Sequence, residues 1–356
     1  MSRKQNNGTP IEQVTVSPLD LPLREPFEIS PGTQHHANNL LVTIETESIT
    51  GYGEGSPLTP VTGETQDAAL ATARAAVELL VGKNIANYRN LVSDVRSTFP
   101  GMVSALFAVE TAILDAYCRD REMALSELFG GSPRPVTTDL TISILPPEEA
   151  NDRAARAVEE GFDSLKVKTG TTVERDVARV AAVHDAAPDA ELAVDANQGW
   201  TPKETVRFAD ELESQGIDCS LIEQPVPADD VVGLARARDA VSVPVAADEV
   251  VFTPEDAICV IREDAADVIN VKLGKSGLLA AADIASIAEA ANVELMVGCM
   301  LESAIGIHAS AHLVAGIGSF SHVDLDGNRL LAEDVISTER GPEIALGGPG
   351  HGITPE

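Results

Sequence analysis

The sequence predicts a barrel of alternating strands and helices, preceded by a smaller α+β unit. Three observations carry this. After about Pro135, eight short apolar runs follow one another, each trailed by a helix-like stretch. The ends of successive runs fall roughly 24 to 29 residues apart, the length of one βα unit. Before Pro135 the order differs, with strands first and helices after them, as expected of an α+β unit.

Residues 1–10 are polar, contain Gly8 and Pro10, and read as frayed. Ile11 to Glu54 reads as two or three strands, with alternation in Asn39–Glu47 and a turn at Gly51-Tyr52-Gly53. A loop is expected over Leu19–Asn38. From Thr65 to about Phe129 the pattern is helical and Ala-rich. The eight runs are Leu140–Leu145, Ser164–Val167, Glu191–Val194, Cys219–Ile222, Val243–Ala246, Val268–Val271, Val293–Val297 and Ser321–Leu325. Helix starts stand between them: Thr201-Pro202-Lys203-Glu204 is a capping box, and Thr253-Pro254 offers an N-cap followed by proline. Gly161 and Gly216 sit where helices should stop. Strict alternation predicts a (β/α)8-type barrel, with an open doubly wound sheet as the alternative.

Composition bounds the function. The chain has 356 residues, ample for one large domain and a smaller one. Aromatics are only 3%, so the core must rest on Val, Leu, Ile and Ala. Acidic residues number 56 against 25 basic, which argues against nucleic acid as a partner. The acids are spread along the chain, which reads as a solvated coat suited to high salt; a halophilic source would explain this and the seven lysines. No run of 18 apolar residues and no charged-then-apolar leader is present, so no membrane partner and a cytoplasmic location are expected. Cys118, Cys219, Cys259 and Cys299 are far apart and are expected as buried free thiols.

Charged residues finish six of the eight runs: Lys166-Val167-Lys168, Asp195, Glu223, Asp248-Glu249, Lys272 and Asp324-Leu325-Asp326. In a barrel such ends form one ring at the C-terminal face, where barrel active sites sit. Three successive ends bearing carboxylates, Asp195, Glu223 and Asp248, make a hard-oxygen site suited to Mg²⁺. Lys168 and Lys272 flank it from opposite sides. Lys166 and Lys168 share a strand face and are expected to lower each other's pKa, poising one as a general base. Glu249 is an expected partner for Lys272. A proton beside a carboxylate is too weakly acidic for an unaided lysine; Mg²⁺ on the carboxylate oxygens would stabilise the resulting enediolate.

Together the motifs Lys-x-Lys, Asp-x-Asn-x-Gly-Trp at Asp195–Trp200, Ile-Glu-Gln-Pro, Ala-Asp-Glu and Val-Lys-Leu-Gly-Lys at Val271–Lys275 resemble the muconate-lactonizing branch of the enolase superfamily. The resemblance spans nearly the whole chain. It implies a modified (β/α)7β barrel at 135–334 and an α+β capping domain at 1–134, completed by the tail 335–356. It also implies Lys168 and Lys272 as the acid/base pair, Lys166 in support, and Asp195, Glu223 and Asp248 as Mg²⁺ ligands. A homo-oligomer is the expected assembly.

Within that branch, Asp324 and Asp326 resemble the Asp-x-Asp with which dipeptide epimerases hold a substrate ammonium. Met300-Leu301-Glu302 is similar to their Met-x-Glu segment, and Asn197 and Glu302 join the implied substrate contacts. The expected reaction is therefore Mg²⁺-dependent epimerisation of the C-terminal residue of a dipeptide by two-lysine 1,1-proton transfer. Cycloisomerase, o-succinylbenzoate synthase and N-acylamino acid racemase are the alternatives. No Arg follows Pro26-Phe27, where alanyl-glutamate epimerases carry one, which speaks against an acidic substrate side chain; Arg24 precedes the pair. His35, His36 and Asn38 are candidate contacts to a polar or neutral substrate, against the commoner reading of a loop histidine as solvated.

Overall fold

The computed structural model describes residues 8–30, 32–337 and 341–356. The frayed start expected over 1–10 lies outside the described residues as far as residue 7, as does Pro31 of the early loop. Strands β1 (Gln13–Ile29) and β2 (Gly32–Glu45) form a long antiparallel hairpin, and β2 also pairs with β3 (Thr50–Gly55). This corrects the loop expected over Leu19–Asn38: pairing runs from Gln13–Glu45 to Ile29–Gly32, with one irregularity between Pro22 and Phe27. Leu19, Leu21, Leu23 and Phe27 share a strand face and pack with Leu301 and Leu331 far along the chain. That distant apolar surface holds a segment whose own sequence reads as polar.

Helices α1 (Thr59–Thr62), α2 (Gln66–Leu80), α3 (Tyr88–Thr98) and α4 (Val103–Asp120) follow the hairpin sheet. The Gly51, Gly53 and Gly55 face of β3 lies flat on α4. A Cβ on Gly53 would sit 2.1 Å from the Ala108 carbonyl oxygen, and one on Gly55 would sit 2.2 Å from that of Ser104. Only glycine permits this approach.

After β4 (Val136–Thr137) come eight strands in one parallel sheet: β5 (Leu140–Ile142), β6 (Ser164–Lys168), β7 (Glu191–Asp195), β8 (Leu221–Glu223), β9 (Val245–Ala247), β10 (Val268–Lys272), β11 (Glu294–Gly298) and β12 (Phe320–Val323). Each coincides with an expected run. The connections are α5 (Pro147–Glu159), α6 (Val173–Ala186), α7 (Pro202–Ser214), α8 (Val231–Ala240), α9 (Pro254–Arg262), the pair α10 (Leu273–Ser276) and α11 (Leu278–Ala291), and α12 (Ala304–Ile317). The capping box at Thr201 forms, the Thr253 N-cap proves to be one as well, closed by Asp256, and Gly161 and Gly216 adopt φ of +96° and +71° past their helices.

The strands lie side by side in chain order, which excludes a doubly wound sheet, whose order reverses. The first and last strands meet through polar contacts. Asp139 N donates to Val323 O at 3.1 Å, and Thr141 N donates to Asp326 Oδ2 at 2.6 Å. A 3₁₀ turn, Gly327–Leu330, takes the place of an eighth helix. The architecture is thus (β/α)7β with an α+β cap.

Cap and barrel are joined by buried carboxylates. Glu54 of β3 accepts hydrogen bonds from Asn39 Nδ2, from Ser303 N and Oγ, and from Gly306 N at the start of α12. Glu110 of α4 accepts from Leu279 N at 2.6 Å. Near the C-terminus, β13 (Glu343–Ile344) pairs with β4, and Arg119 of α4 donates to Ile353 O. Only Cys118 is fully buried as expected; Cys219 and Cys299 are partly buried, and Cys259, on the outer side of α9, is exposed. Among the described residues no helix is long and apolar enough to cross a membrane.

Candidate functional site

Sheet register assembles the site. Lys168 pairs with Asp195 across β6 and β7, and Asp195 with Glu223 across β7 and β8. Asp248 follows the last residue of β9. Carboxylate oxygens of Asp195, Glu223 and Asp248 all lie within 4.8 Å of one another, and all three residues are buried. The donor set is hard oxygen throughout, as Mg²⁺ prefers. Burial, then the neighbouring Asp195 carboxylate, pushes the Glu223 acid up to about 7. Such crowding of buried negative charge is what a divalent cation would relieve.

Each ammonium group leans on a carboxylate of this cluster. Lys168 Nζ donates to Asp195 Oδ2 at 2.6 Å, and Lys272 Nζ to Asp248 Oδ2 at 2.5 Å. Lys166 Nζ lies 2.6 Å from Asp324, 2.5 Å from Glu223 and 3.4 Å from Asp195. This corrects the expectation that Lys166 and Lys168 chiefly depress one another. Burial works against the Lys166 ammonium, but Asp324, Glu223 and Asp195 outweigh it and hold its pKa well above an ordinary lysine. Lys272 is raised in the same way, chiefly by Asp248 against burial. Asp248 responds in the opposite sense: burial would raise it, and Lys272 and Lys275 pull it below the usual carboxylate range. Glu249 is not the partner of Lys272; it accepts from Asn197 Nδ2 at 3.2 Å, because Asp248 already occupies the lysine.

A small cavity of ≈ 60 Å³ is lined by Lys168, Lys272, Asp248, Asn197, Asp324 and Asp326, together with Phe27, Ile29 and Gln34 of the hairpin. Asp324 and Asp326 are buried beside the lysines. Burial, then Asp324, raises Asp326 to about 6. Glu302 does not line this cavity. It lies behind it, accepting from Met300 N at 3.0 Å and Ser56 Oγ at 3.3 Å, and burial followed by Glu54 raises it to about 8. His35, His36 and Asn38 are exposed and do not line the cavity; Gln34, the residue before His35, does.

Three participants escaped the sequence reading. Lys275 Nζ donates to Asp248 Oδ1 at 2.6 Å, and Asn270 Nδ2 donates to Glu223 Oε1 at 2.7 Å. Asn270 stands two residues before Lys272, hence on the same strand face, and that spacing could have flagged it. Gln224 Oε1 accepts from Asp248 N at 2.8 Å. Gly298 clears space for the base: a Cβ there would lie 2.5 Å from Lys272 Cε.

Comparison with known proteins bears directly on this arrangement. The mandelate racemase / muconate lactonizing enzyme N-terminal domain model matches residues 11–130, and the enolase C-terminal domain-like model matches 149–356. The chain belongs to this enolase-superfamily family. Among its relatives is the L-Ala-D/L-Glu epimerase of Bacillus subtilis, 36% identical over 352 residues, covering 96% of each chain. The hydrophobic dipeptide epimerase of Enterococcus faecalis is 38% identical, covering 95% of this chain and 97% of that protein. A crystal structure of dipeptide epimerase from Enterococcus faecalis complexed with Mg and the dipeptide L-Leu-L-Tyr superposes with a TM-score of 0.91 at 36% identity, over 96% of this chain and 99% of that one.

Proposed function

We propose that this enzyme epimerises the α-carbon of the C-terminal residue of a dipeptide. One observation carries the reading: two buried carboxylates, Asp324 and Asp326, line the same cavity as Lys168 and Lys272. A cycloisomerase or succinylbenzoate synthase has no amine for them to hold. The relatives named as dipeptide epimerases support it.

Asp195, Glu223 and Asp248 would hold Mg²⁺, which when bound stabilises the charge that the substrate carboxylate gains as its α-proton leaves. Lys166 supports that carboxylate and Asp324. Asp324 and Asp326 orient the substrate ammonium, fixing the α-carbon between the lysines. Lys168, as the free amine, takes the α-proton from one face and becomes an ammonium. Lys272, starting as the ammonium, delivers a proton to the opposite face and becomes the amine. Configuration inverts, and the reverse direction uses the same pair with roles exchanged. Asn197 positions the buried Glu249, and Glu302 acts through the Met300 backbone rather than by touching substrate.

The test is incubation of L,L-dipeptides with Mg²⁺ in D₂O. Deuterium should appear at the α-carbon of the C-terminal residue together with the L,D product, and EDTA should stop it. No exchange across a broad dipeptide library, with turnover of an N-acyl amino acid or a succinylbenzoate precursor instead, would refute the reading.

We further infer a cap of residues 1–134 with the tail 335–356 around a barrel of 135–334, in a cytoplasmic homo-oligomer from a halophilic source. The carboxylate links between cap and barrel support the first part. The net charge of −31 supports the last.

A further inference from the structure

Beside the inner cavity lies a larger one of ≈ 300 Å³, and Phe27, Thr141 and Leu330 belong to the walls of both. Four arginines line it: Arg24 from β1, Arg153 and Arg156 from one face of α5, and Arg329 from the turn after β12, against two acids, Glu25 and Glu160. In a chain with more than twice as many acidic as basic residues, four cations around one space are a marked local reversal. Among the described residues, Arg24, Arg153 and Arg156 form no ion pair. Arg24 Nε donates to the Arg329 backbone carbonyl at 3.2 Å, which ties the hairpin to the turn, and the Arg329 guanidinium itself donates to Glu343 O at 3.1 Å.

The direction in which this space opens identifies what could reach it. Thr141, the shared wall residue, donates its N–H to Asp326 and its hydroxyl to Asp324 at 3.4 Å. The larger cavity therefore continues from the Asp324 and Asp326 side of the site, not from the Asp248 and Lys272 side. A substrate whose ammonium rests on those two aspartates places its N-terminal side chain nearest the opening, while the α-carbon and carboxylate stay inside. The inner cavity is too small to take a dipeptide whole, so part of the molecule must extend outward.

We propose that the arginine-lined cavity receives an anionic side chain on the N-terminal residue, making dipeptides that begin with Asp or Glu the favoured class. This rests on the dipeptide reading above. The missing Arg after Phe27 bears on the C-terminal side chain of an alanyl-glutamate substrate and is a separate matter: these arginines come from two residues before Pro26, from α5 and from the β12 turn, which no linear motif joins. Guanidinium groups suit carboxylates because they offer paired N–H donors.

The experiment compares kcat/KM for α-proton exchange in D₂O with L-Glu-L-Ala, L-Asp-L-Ala, L-Ala-L-Ala, L-Lys-L-Ala and L-Ala-L-Glu. Since the arginines are partly solvated, the acidic N-terminal substrates should exceed L-Ala-L-Ala by roughly five- to tenfold, and L-Lys-L-Ala should be the poorest. The Glu-Ala to Ala-Ala ratio should fall toward one in Arg153→Gln/Arg156→Gln and rise in Glu160→Gln. Exchange with L-Ala-L-Ala but no gain from an acidic N-terminal residue, or a gain confined to L-Ala-L-Glu, would overturn the inference while leaving the dipeptide reading intact. Exchange with no dipeptide at all would overturn that reading as well.

Discussion

Glu110 offers a test of cap-to-barrel docking that is independent of catalysis. Its side chain is fully buried in α4, accepts from Leu279 N at 2.6 Å, and lies 3.5 Å from an Arg96 guanidinium that is itself 38% exposed. Burial, only partly offset by the Leu279 N–H and by Arg96, raises its acid to about 7 from 4.5. A raised carboxyl favours the protonated form in the folded chain. Its contribution to stability is therefore fully present below 4.5 and is lost as pH climbs through about 7. Glu110→Gln keeps an acceptor for Leu279 and removes the titration. Against an unfolded value of 4.5, the ionised group costs the folded state about 1 kcal/mol at pH 5.5 and about 3 kcal/mol at pH 8.5. The difference between Glu110→Gln and the parent should therefore move by about 2 kcal/mol in favour of Gln between those two pH values. Other titrating groups are common to both proteins and cancel. Urea unfolding of both, with Mg²⁺ present throughout, measures the difference directly. A difference that stays constant with pH, or grows in favour of Glu, would refute the assignment of a buried carboxyl raised to about 7 at this contact.

Lys168→Ala and Lys272→Ala should each lower epimerisation by about 10² to 10⁴. Each should retain solvent exchange from only the one stereoisomer that its remaining lysine faces, read by NMR on separate L,L and L,D substrates; equal exchange from both isomers would argue against a two-base mechanism. Asp326→Asn should raise KM for dipeptides while Mg²⁺ affinity, followed by calorimetry, stays unchanged; an unaltered KM removes the ammonium role. Gly53→Ala drives a Cβ to 2.1 Å from the Ala108 carbonyl oxygen and should cost about 1–3 kcal/mol in chemical denaturation, with a smaller loss if β3 can shift off α4.

The eight barrel strands and the strand-end charges were legible in the sequence because both are local: apolar runs of four to six residues repeat at a near-regular interval, and six of the eight are closed by the residues that carry the chemistry. The pairing of Lys168 with Asp195 and of Asp195 with Glu223 follows once consecutive strands lie side by side. The resemblance then named the reaction class that those residues can serve.

What the chain could not disclose alone depends on distance in sequence. The Leu19–Asn38 hairpin takes its apolar backing from Leu301 and Leu331. The protonation preference of Lys166 reverses the isolated expectation because Asp324 comes to within 2.6 Å of it. Glu302 turns away from the cavity because the Met300 amide and Ser56, a residue of the cap, claim its carboxylate. The arginines of the outer cavity come from three separate segments and meet only after barrel closure brings β5 beside β12. Periodicity and local charge fix strands and their ends; partners hundreds of residues apart, and the electrostatic consequences of burying them together, are settled only by the tertiary fold.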